Sequence, residues 1–254
     1  MSQLKPNPAA EIAESHWRSI YKVGAVAILA VVLVGILEIL ITFLPGGNTE
    51  QQTVLDWFAL FQDNWFLGLR NLGLLNIAIT VLGIPAYFAL YGAHRRVNPV
   101  YAALAMIIAF IGVATFLATN RAFPMLELSR QYAAATSDAQ RSTLAAAGQA
   151  LLAVGQSHTP GTFLGFFLSE VAGIIISVVM LRGKVFGLVT AYVGMLGFVL
   201  LLIFEVCSSF VPALSGVAMF IAMGGGVLSM AWYILTASRL FRLGAAERVV
   251  QERA

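Results

Sequence analysis

The stretch VGAVAILAVVLVGILEILITFL, residues 23–44, contains a single charged residue, Glu38. It is long enough to form a helix across the hydrocarbon core of a bilayer, which takes about 20 helical residues. It is also longer than the roughly 7–15 apolar residues of a signal-peptide core. The next stretch, LPGGNTEQQ, lacks an A-x-A cleavage pattern. The sequence therefore predicts a retained membrane helix here.

The composition of the whole chain agrees with this prediction. Of 254 residues, 59% are hydrophobic and 11% are charged, against about 25% charged in an average soluble domain. A single cysteine, Cys207, rules out an intramolecular disulfide. The sequence has no metal-ligand spacing, nucleotide-binding loop or G-x-S-x-G motif. We therefore expect a membrane protein without a cofactor or metal.

Six apolar runs of the required length occur along the chain. Because only helices and closed barrels satisfy the backbone inside a bilayer, these runs predict helices. The expected fold is an all-α membrane protein, a bundle of six transmembrane helices with an extracytoplasmic helical cap. We expect an amino-terminal arm (1–22), one six-span domain (23–243) and a tail (244–254). The predicted spans are 23–44, 71–93, 99–119, 162–181, 185–206 and 211–237.

The distribution of Lys and Arg predicts the orientation. The two termini and the turns GAHRRVN and LRGK together hold 11 Lys/Arg, whereas the opposite side holds four. Positive residues accumulate on the cytoplasmic side of membrane proteins. The sequence therefore predicts a multi-pass protein of the bacterial plasma (inner) membrane with both termini cytoplasmic. Since the basic residues are those of cytoplasmic turns, nucleic acid is not an expected partner.

Two long connections fall on the predicted outer side. Residues 54–68 place apolar side chains at helical spacing, which predicts a helix lying in the membrane interface. Residues 120–161 are too many for an unstructured loop in a compact protein. Ser137 and Gln140 fit a capping box, and we expect cap helices near 125–135 and 138–155.

Polar residues cluster at one depth of the predicted spans. Glu38 lies about 9 Å below the outer end of its helix and Glu170 about 12 Å below that of its own, at 1.5 Å per residue. Intramembrane carboxylates are costly and commonly functional, although they also serve as structural hydrogen-bonding groups. The hypothesis is an outward-facing polar cavity with Arg70 or Arg121 as counter-charges and His158 at its mouth. Its predicted ligand-binding residues are Glu38, Arg70, Asn71, Asn76, Asn120, Arg121, Glu170 and Glu205.

Several stretches resemble a family of uncharacterised bacterial integral-membrane proteins that share a domain of unknown function. The polar segments LSRQYA and SDAQRSTL are its most specific part. The resemblance covers about residues 20–244 and implies residence in a bacterial membrane. It implies no activity and no functional residues. The stretches are RVNPVYAALAMIIAFIG, LSRQYAAATSDAQRSTLAAAGQALLA, VVMLRGKVFGLVTAYVGMLG and WYILTASRLFRLG.

The sequence leaves three function classes open. The first is binding, sensing or transporting a small molecule or lipid, and Glu38 and Glu170 would suit a cationic or hydrogen-bonding ligand. The second is a membrane-embedded enzyme with Glu170 as general base and Arg121 or Arg70 stabilising a developing anion. The third is an accessory subunit of a membrane complex. Membrane lipids are expected contacts, and no pattern requires an oligomer or a partner protein. The absence of a nucleophile or metal set favours a non-enzymatic role.

Overall fold

The computed structural model describes residues 8–42, 51–155 and 158–245, and in this part of the chain no strand forms. A short 3₁₀ turn, Pro212–Leu214, precedes the last helix. The helices are α1 (Pro8–Thr42), α2 (Val54–Asp63), α3 (Trp65–Asn71), α4 (Leu74–His94), α5 (Pro99–Thr119), α6 (Ala122–Ala134), α7 (Asp138–Leu152), α8 (Phe163–Gly183), α9 (Leu188–Phe210) and α10 (Ser215–Ala245).

The predicted bundle of six long apolar helices is confirmed. Within the described residues, α1, α4, α5, α8, α9 and α10 are long and apolar enough to cross a membrane. Helix α1 begins at Pro8, inside the stretch predicted as an arm, and α10 continues to Ala245, beyond the predicted span. Residues 1–7 of that arm and 246–254 of the predicted tail lie outside the described residues.

Contacts with the α4–α5 turn explain why α1 begins before the predicted span. The Glu14 carboxylate pairs with Arg96 at 2.6 Å and with Arg95 at 3.5 Å. The Arg95 guanidinium lies 4.3 Å from the centre of the Trp17 ring, a cation–π arrangement. These contacts hold a polar extension of α1 that apolar run length alone could not reveal.

The six long helices form a closed ring. The neighbouring pairs are α1 with α4, α4 with α5, α5 with α8, α8 with α9, α9 with α10, and α10 with α1. Neighbours run antiparallel: the Tyr21 hydroxyl near the start of α1 donates to the Gly92 carbonyl near the end of α4. The ring therefore has an interior, and side chains from four or more helices can line it.

Close approach of α5 and α8 depends on one glycine. A Cβ on Gly165 would lie 3.0 Å from the Phe116 Cβ and 3.2 Å from the Phe116 backbone nitrogen. Small residues allow membrane helices to approach to backbone distance. Gly165 therefore serves packing between helices of the same chain.

The two ends of the ring differ in packing. We call the end with the turns 95–98 and 184–187 the short-turn end, and the other the layer end. In α1, no residue after Val32 is buried, and in α4 none before Ala86. The buried core instead lies toward the short-turn end. It contains Tyr21, Ala25, Ile28, Ala86, Ala89, Leu90, Ala102, Ala105, Ile176, Val179, Met180, Phe186, Ala191, Phe198, Trp232, Ala237 and Leu240.

The remaining helices, α2, α3, α6 and α7, pack on one another as a helical layer where α4 begins and α5 ends. The layer has its own core, which includes Trp57, Phe58, Phe61 and Met125. The Ser129 hydroxyl of α6 donates to the Phe58 carbonyl at 2.9 Å. That this layer is an extracytoplasmic cap stays a prediction.

The layer differs in two respects from the expected helices. The segment expected as one interfacial helix over 54–68 divides at Asn64, whose side chain accepts from the Leu67 amide at 3.0 Å and so starts α3. Val54, Trp57, Phe58 and Phe61 are covered by the rest of the layer, whereas Leu55, Trp65 and Phe66 stay exposed. The Ser137 hydroxyl accepts from the Gln140 amide as expected, but the Gln140 side chain accepts from the Thr136 amide instead of completing a capping box.

Candidate polar site inside the helix ring

The structure separates the predicted site residues into two groups, and Asn76, Asn120 and Arg121 lie outside both. One group joins α1 to α3, and the other lies between α8 and α9. Asn76 of α4 is half-buried, and Arg121 stands apart from both carboxylate groups. The two groups contain different partners for their carboxylates, so they are described in turn.

Glu38 and Arg70 form the first group. Arg70 is 6% exposed, and its Nη2 lies 2.9 Å from Glu38 Oε1. The same guanidinium donates to the Asn71 side chain at 3.0 Å, to the Glu38 carbonyl at 3.2 Å and to the Thr42 hydroxyl. Four acceptors thus surround one arginine, which makes this group a structural link between α1 and α3.

Asn120 connects the end of α5 to the layer. Its side-chain amide donates to the Leu72 carbonyl at 3.1 Å, and its Oδ1 accepts from the Ala122 backbone amide at 3.0 Å. Both polar atoms of the side chain are therefore used locally. Asn120 fixes the junction between α5 and α6 rather than presenting free polar atoms to a ligand.

Glu205 and His158 form the second group. Glu205 is 2% exposed, and its Oε2 lies 2.5 Å from His158 Nδ1. Its other oxygen accepts from the Ser209 hydroxyl at 3.4 Å. A short contact between an imidazole and a carboxylate fixes the ring orientation. His158, expected at a cavity mouth, is therefore a direct partner of a buried carboxylate.

The backbone of His158 adopts an uncommon conformation. Its φ is +61°, in the left-handed region, where histidine is among the better-tolerated non-glycine residues. The Ser208 hydroxyl donates to its carbonyl at 3.1 Å, and its ring packs 4.3 Å from Phe166 and 4.8 Å from Phe204. Contacts to both α8 and α9 therefore hold the imidazole in place.

Glu170 lies inside the ring. Its charge interacts with Glu205 of α9, Tyr87 of α4 and Tyr233 of α10. Helix α8 is not the ring neighbour of α4 or α10, so these side chains can approach one another only across the interior. We call Tyr87, Glu170, Glu205 and Tyr233 the central cluster.

The central cluster has two acidic groups, of which Glu205 is paired with His158 and Glu170 has no described counter-cation. Glu170 Oε2 is buried and has no hydrogen-bond partner among the described residues. The two arginines considered as counter-charges lie elsewhere, since Arg70 pairs with Glu38 and Arg121 is not among the charges acting on Glu170. A buried carboxylate without a partner is costly, so this arrangement favours a proton or a cationic ligand.

The residues around the cluster are only partly buried. Tyr87, Glu170 and Tyr233 keep intermediate accessible surface although they approach one another across the ring interior. From Leu74 to Thr80, seven successive residues of α4 are each partly accessible, on all sides of the helix. The short-turn half of α4, by contrast, has buried residues from Ala86 onward. The helix is therefore less tightly packed toward the layer end.

Metal binding has no support in the described part of the chain. No group of three His, Cys, Asp or Glu residues there could hold a metal ion. The available groups are two carboxyls, one imidazole and two phenols. Such a set can hold a protonated amine, exchange protons or donate hydrogen bonds.

Sequence reasoning missed the two tyrosines and Thr42. Tyr87 and Tyr233 each lie within an apolar run, which made them resemble ordinary core or interface aromatics. Their hydroxyls offered a signal, because a buried Tyr O–H usually requires a polar partner. Thr42 follows Glu38 by one helical turn, a spacing that places both on one face.

The fold and site define a class: the chain is a multi-pass helical membrane protein with polar groups gathered inside a ring of six helices. Residues 64–236 match the family described as Domain of unknown function (DUF4386). This is the greater part of the chain, and the chain belongs to that family. No curated protein and no solved structure matches it.

Proposed function

We propose that this membrane protein binds a small molecule or lipid in the space inside the helix ring, in order to sense it or move it across the membrane. The observation that carries the proposal is Glu170, whose Oε2 is buried without a partner beside a second carboxylate. A protonated amine or a hydrogen-bond donor would supply what this carboxylate lacks. The cavity would open toward the helical layer, on the predicted outer side.

The surrounding residues suit such a ligand. Tyr87 and Tyr233 present aromatic rings and hydroxyls near Glu170, and aromatic faces attract cations. Glu205 is already engaged by His158 and Ser209. Glu170 is therefore the acidic group available to a ligand, while Glu205 helps to set the field around it.

The test is native mass spectrometry of gently extracted protein, comparing the wild type with Glu170→Gln. The control variant is Glu127→Gln, because Glu127 is exposed on α6 and contacts only Gln131 among the described residues. A discrete species retained by wild type and control but lost from Glu170→Gln would support the proposal, and its mass would separate a lipid from a smaller molecule.

A thermal-shift series with small organic amines completes the test. The wild type and Glu127→Gln should gain several degrees with an amine that fits, and Glu170→Gln should not. Mass spectra without a bound species in any of the three proteins, together with no amine-dependent change in unfolding temperature, would contradict ligand binding at Glu170.

A second candidate is a membrane-embedded enzyme, favoured by one observation. His158 is oriented by Glu205 at 2.5 Å, the arrangement of a general base held by a carboxylate. A retained species that changes mass on incubation, and does so only while His158 is intact, would favour this candidate over simple binding.

A further inference from the structure

Arg121 is a buried cation whose charge the described residues do not neutralise. It follows α5, occupies the position before the first residue of α6, and is 3% exposed. Its Nε and Nη1 are buried without a hydrogen-bond partner among the described residues. Asn120 bonds to the Leu72 carbonyl and to the Ala122 amide, which holds the backbone beside Arg121 in place.

The position is unfavourable for a positive charge. A buried, unpaired ion costs several kcal/mol even after the protein relaxes. The amino-terminal end of α6 adds a partial positive charge, which repels a cation there. The carboxy-terminal carbonyls of α5 lie nearby in sequence, but none accepts a bond from Nε or Nη1. The described residues thus leave a charge that a bound anion would neutralise.

Arg70 shows what a neutralised arginine looks like in the same region. It is 6% exposed and meets a carboxylate, a carbonyl, a hydroxyl and a side-chain amide. Arg121 is as deeply buried, at 3%. The comparison indicates that the described residues by themselves do not complete the environment of Arg121.

We propose that Arg121 forms an anion-binding site at the junction of α5, α6 and α3, for a carboxylate or phosphate group. The first turn of α6 supplies a further donor. The Ala122 amide bonds to Asn120 and the Met125 amide to the Arg121 carbonyl, while Pro124 has no N–H. The Phe123 amide is a remaining donor at this helix start, of the kind that binds anions at other helix amino termini. The anion comes from a lipid headgroup or from solution.

The site is independent of the central cluster. Its ligand is an anion rather than an amine, and Arg121 is not among the groups whose charge acts on Glu170. Loss of amine binding in Glu170→Gln should leave the anion response unchanged. The reverse should hold for Arg121 variants, so the failure of one proposal is distinguishable from the failure of the other.

The experiment measures thermal unfolding of delipidated protein in a neutral detergent at constant ionic strength. One arm adds inorganic phosphate, and the other compares mixed micelles containing phosphatidylglycerol with micelles containing phosphatidylcholine. The variants are Arg121→Met and, as control, Arg130→Met, since Arg130 is exposed on the same helix α6. We expect phosphate or phosphatidylglycerol to raise the unfolding temperature of wild type and control by several degrees, and phosphatidylcholine to have no such effect.

In Arg121→Met the anion-dependent shift should disappear. A shift with phosphate would identify the ligand as a free anion. A shift with phosphatidylglycerol alone would identify it as a lipid headgroup. No shift of the wild type in either arm overturns the proposal, and so does an equal shift in Arg121→Met. If Arg121→Met does not fold, Arg121→Lys is used instead. Its shift in unfolding temperature should be retained at about tenfold higher anion concentration. The wild-type measurements test the proposal even without a variant.

Discussion

The two halves of the helix ring hold together by different means. Toward the short-turn end, alanines, glycines and apolar side chains fill the interior, and Trp232 packs at a right angle against Phe198, with ring centres 5.0 Å apart. Toward the layer end, α1 after Val32 and α4 before Ala86 have no buried residue, α5 and α8 still approach closely at Gly165, and polar pairs such as Glu38 with Arg70 connect the elements. The first half is an apolar core, whereas the second also holds the polar groups.

The difference shows how a membrane chain makes a cavity. Lipid tails are as apolar as leucine, so apolar side chains gain little from facing one another unless they also pack closely. Where small residues allow close packing, the helices touch. Where they separate, buried polar groups need partners, and those partners become specific links. A ligand site in such a protein belongs in the separated half.

The packed half should show the largest response to a single truncation. Trp232→Ala removes a side chain that is 1% exposed and that contacts Phe198 and Tyr233. Large-to-small changes of this kind cost about 3–5 kcal/mol. Reversible unfolding in detergent measures the loss. The matched control is Phe220→Ala on the same helix, where the side chain is 76% exposed and a change below about 1 kcal/mol is expected. Equal losses in both variants would remove the distinction between a packed half and an open half.

The polar link between α1 and α3 should show an intermediate response. Arg70→Met leaves Glu38 without its ion-pair partner, although Glu38 is about one-third exposed and so can gain water. We expect a loss of about 1–3 kcal/mol. Adding Glu38→Gln should recover part of the loss, because the unpaired charge is then gone. A double-mutant cycle gives the coupling free energy, and a value of zero would show that the pair does not connect the two helices energetically.

The start of α2 should make the smallest contribution to stability of the three, and this contribution should depend on pH. The Thr53 amide donates to the Asp56 carboxylate at 2.8 Å, and the Thr53 hydroxyl accepts from the Asp56 amide. The bond from the Thr53 amide, and after it the Thr53 side chain, holds the pKa of the Asp56 carboxyl below its ordinary value. The contribution to stability is therefore present above the unfolded pKa of about 3.9 and is lost as the pH falls through the lower folded pKa.

Asp56→Asn should abolish that pH dependence. The measurement is the hydrogen-exchange rate of the α2 amides. At each pH, the rate in the variant is divided by the rate in the wild type. The ratio should exceed one at pH 6 and approach one at about pH 2. Asp63→Asn, at the other end of α2, is the control and should show no such trend. A constant ratio for Asp56→Asn would mean that the carboxylate does not stabilise this helix start.

Run length and hydropathy predicted the six long helices closely because bilayer thickness constrains them directly. Helix α5 occupies the predicted span 99–119, bounded by Pro99 and by Asn120. The division at Asn64 was harder to predict, since the same apolar spacing continues on both sides of it. The extension of α1 to Pro8 depends on contacts with Arg95 and Arg96, which lie more than 80 residues away in sequence.

The candidate site was less predictable than the fold, because depth along a helix says nothing about direction around it. Glu38 and Glu170 were expected in one cavity, yet Glu38 pairs with Arg70 while Glu170 meets residues of three other helices. The sequence also could not show that Arg70 would have an ion-pair partner and Arg121 would not, because that depends on where α3 and α6 lie. Sequence spacing could indicate the polar depth but not the partners.

The contact between α1 and α10 has a consequence for how the protein is made. The first helix enters the membrane long before the last one has been synthesised, so during translation one flank of α1 faces lipid where α10 will later lie. The nascent bundle is an open arc of five helices until α10 arrives, and the polar interior is then reachable sideways from the bilayer. Insertion of α10 closes that opening, so the interior is complete only once α10 is in place.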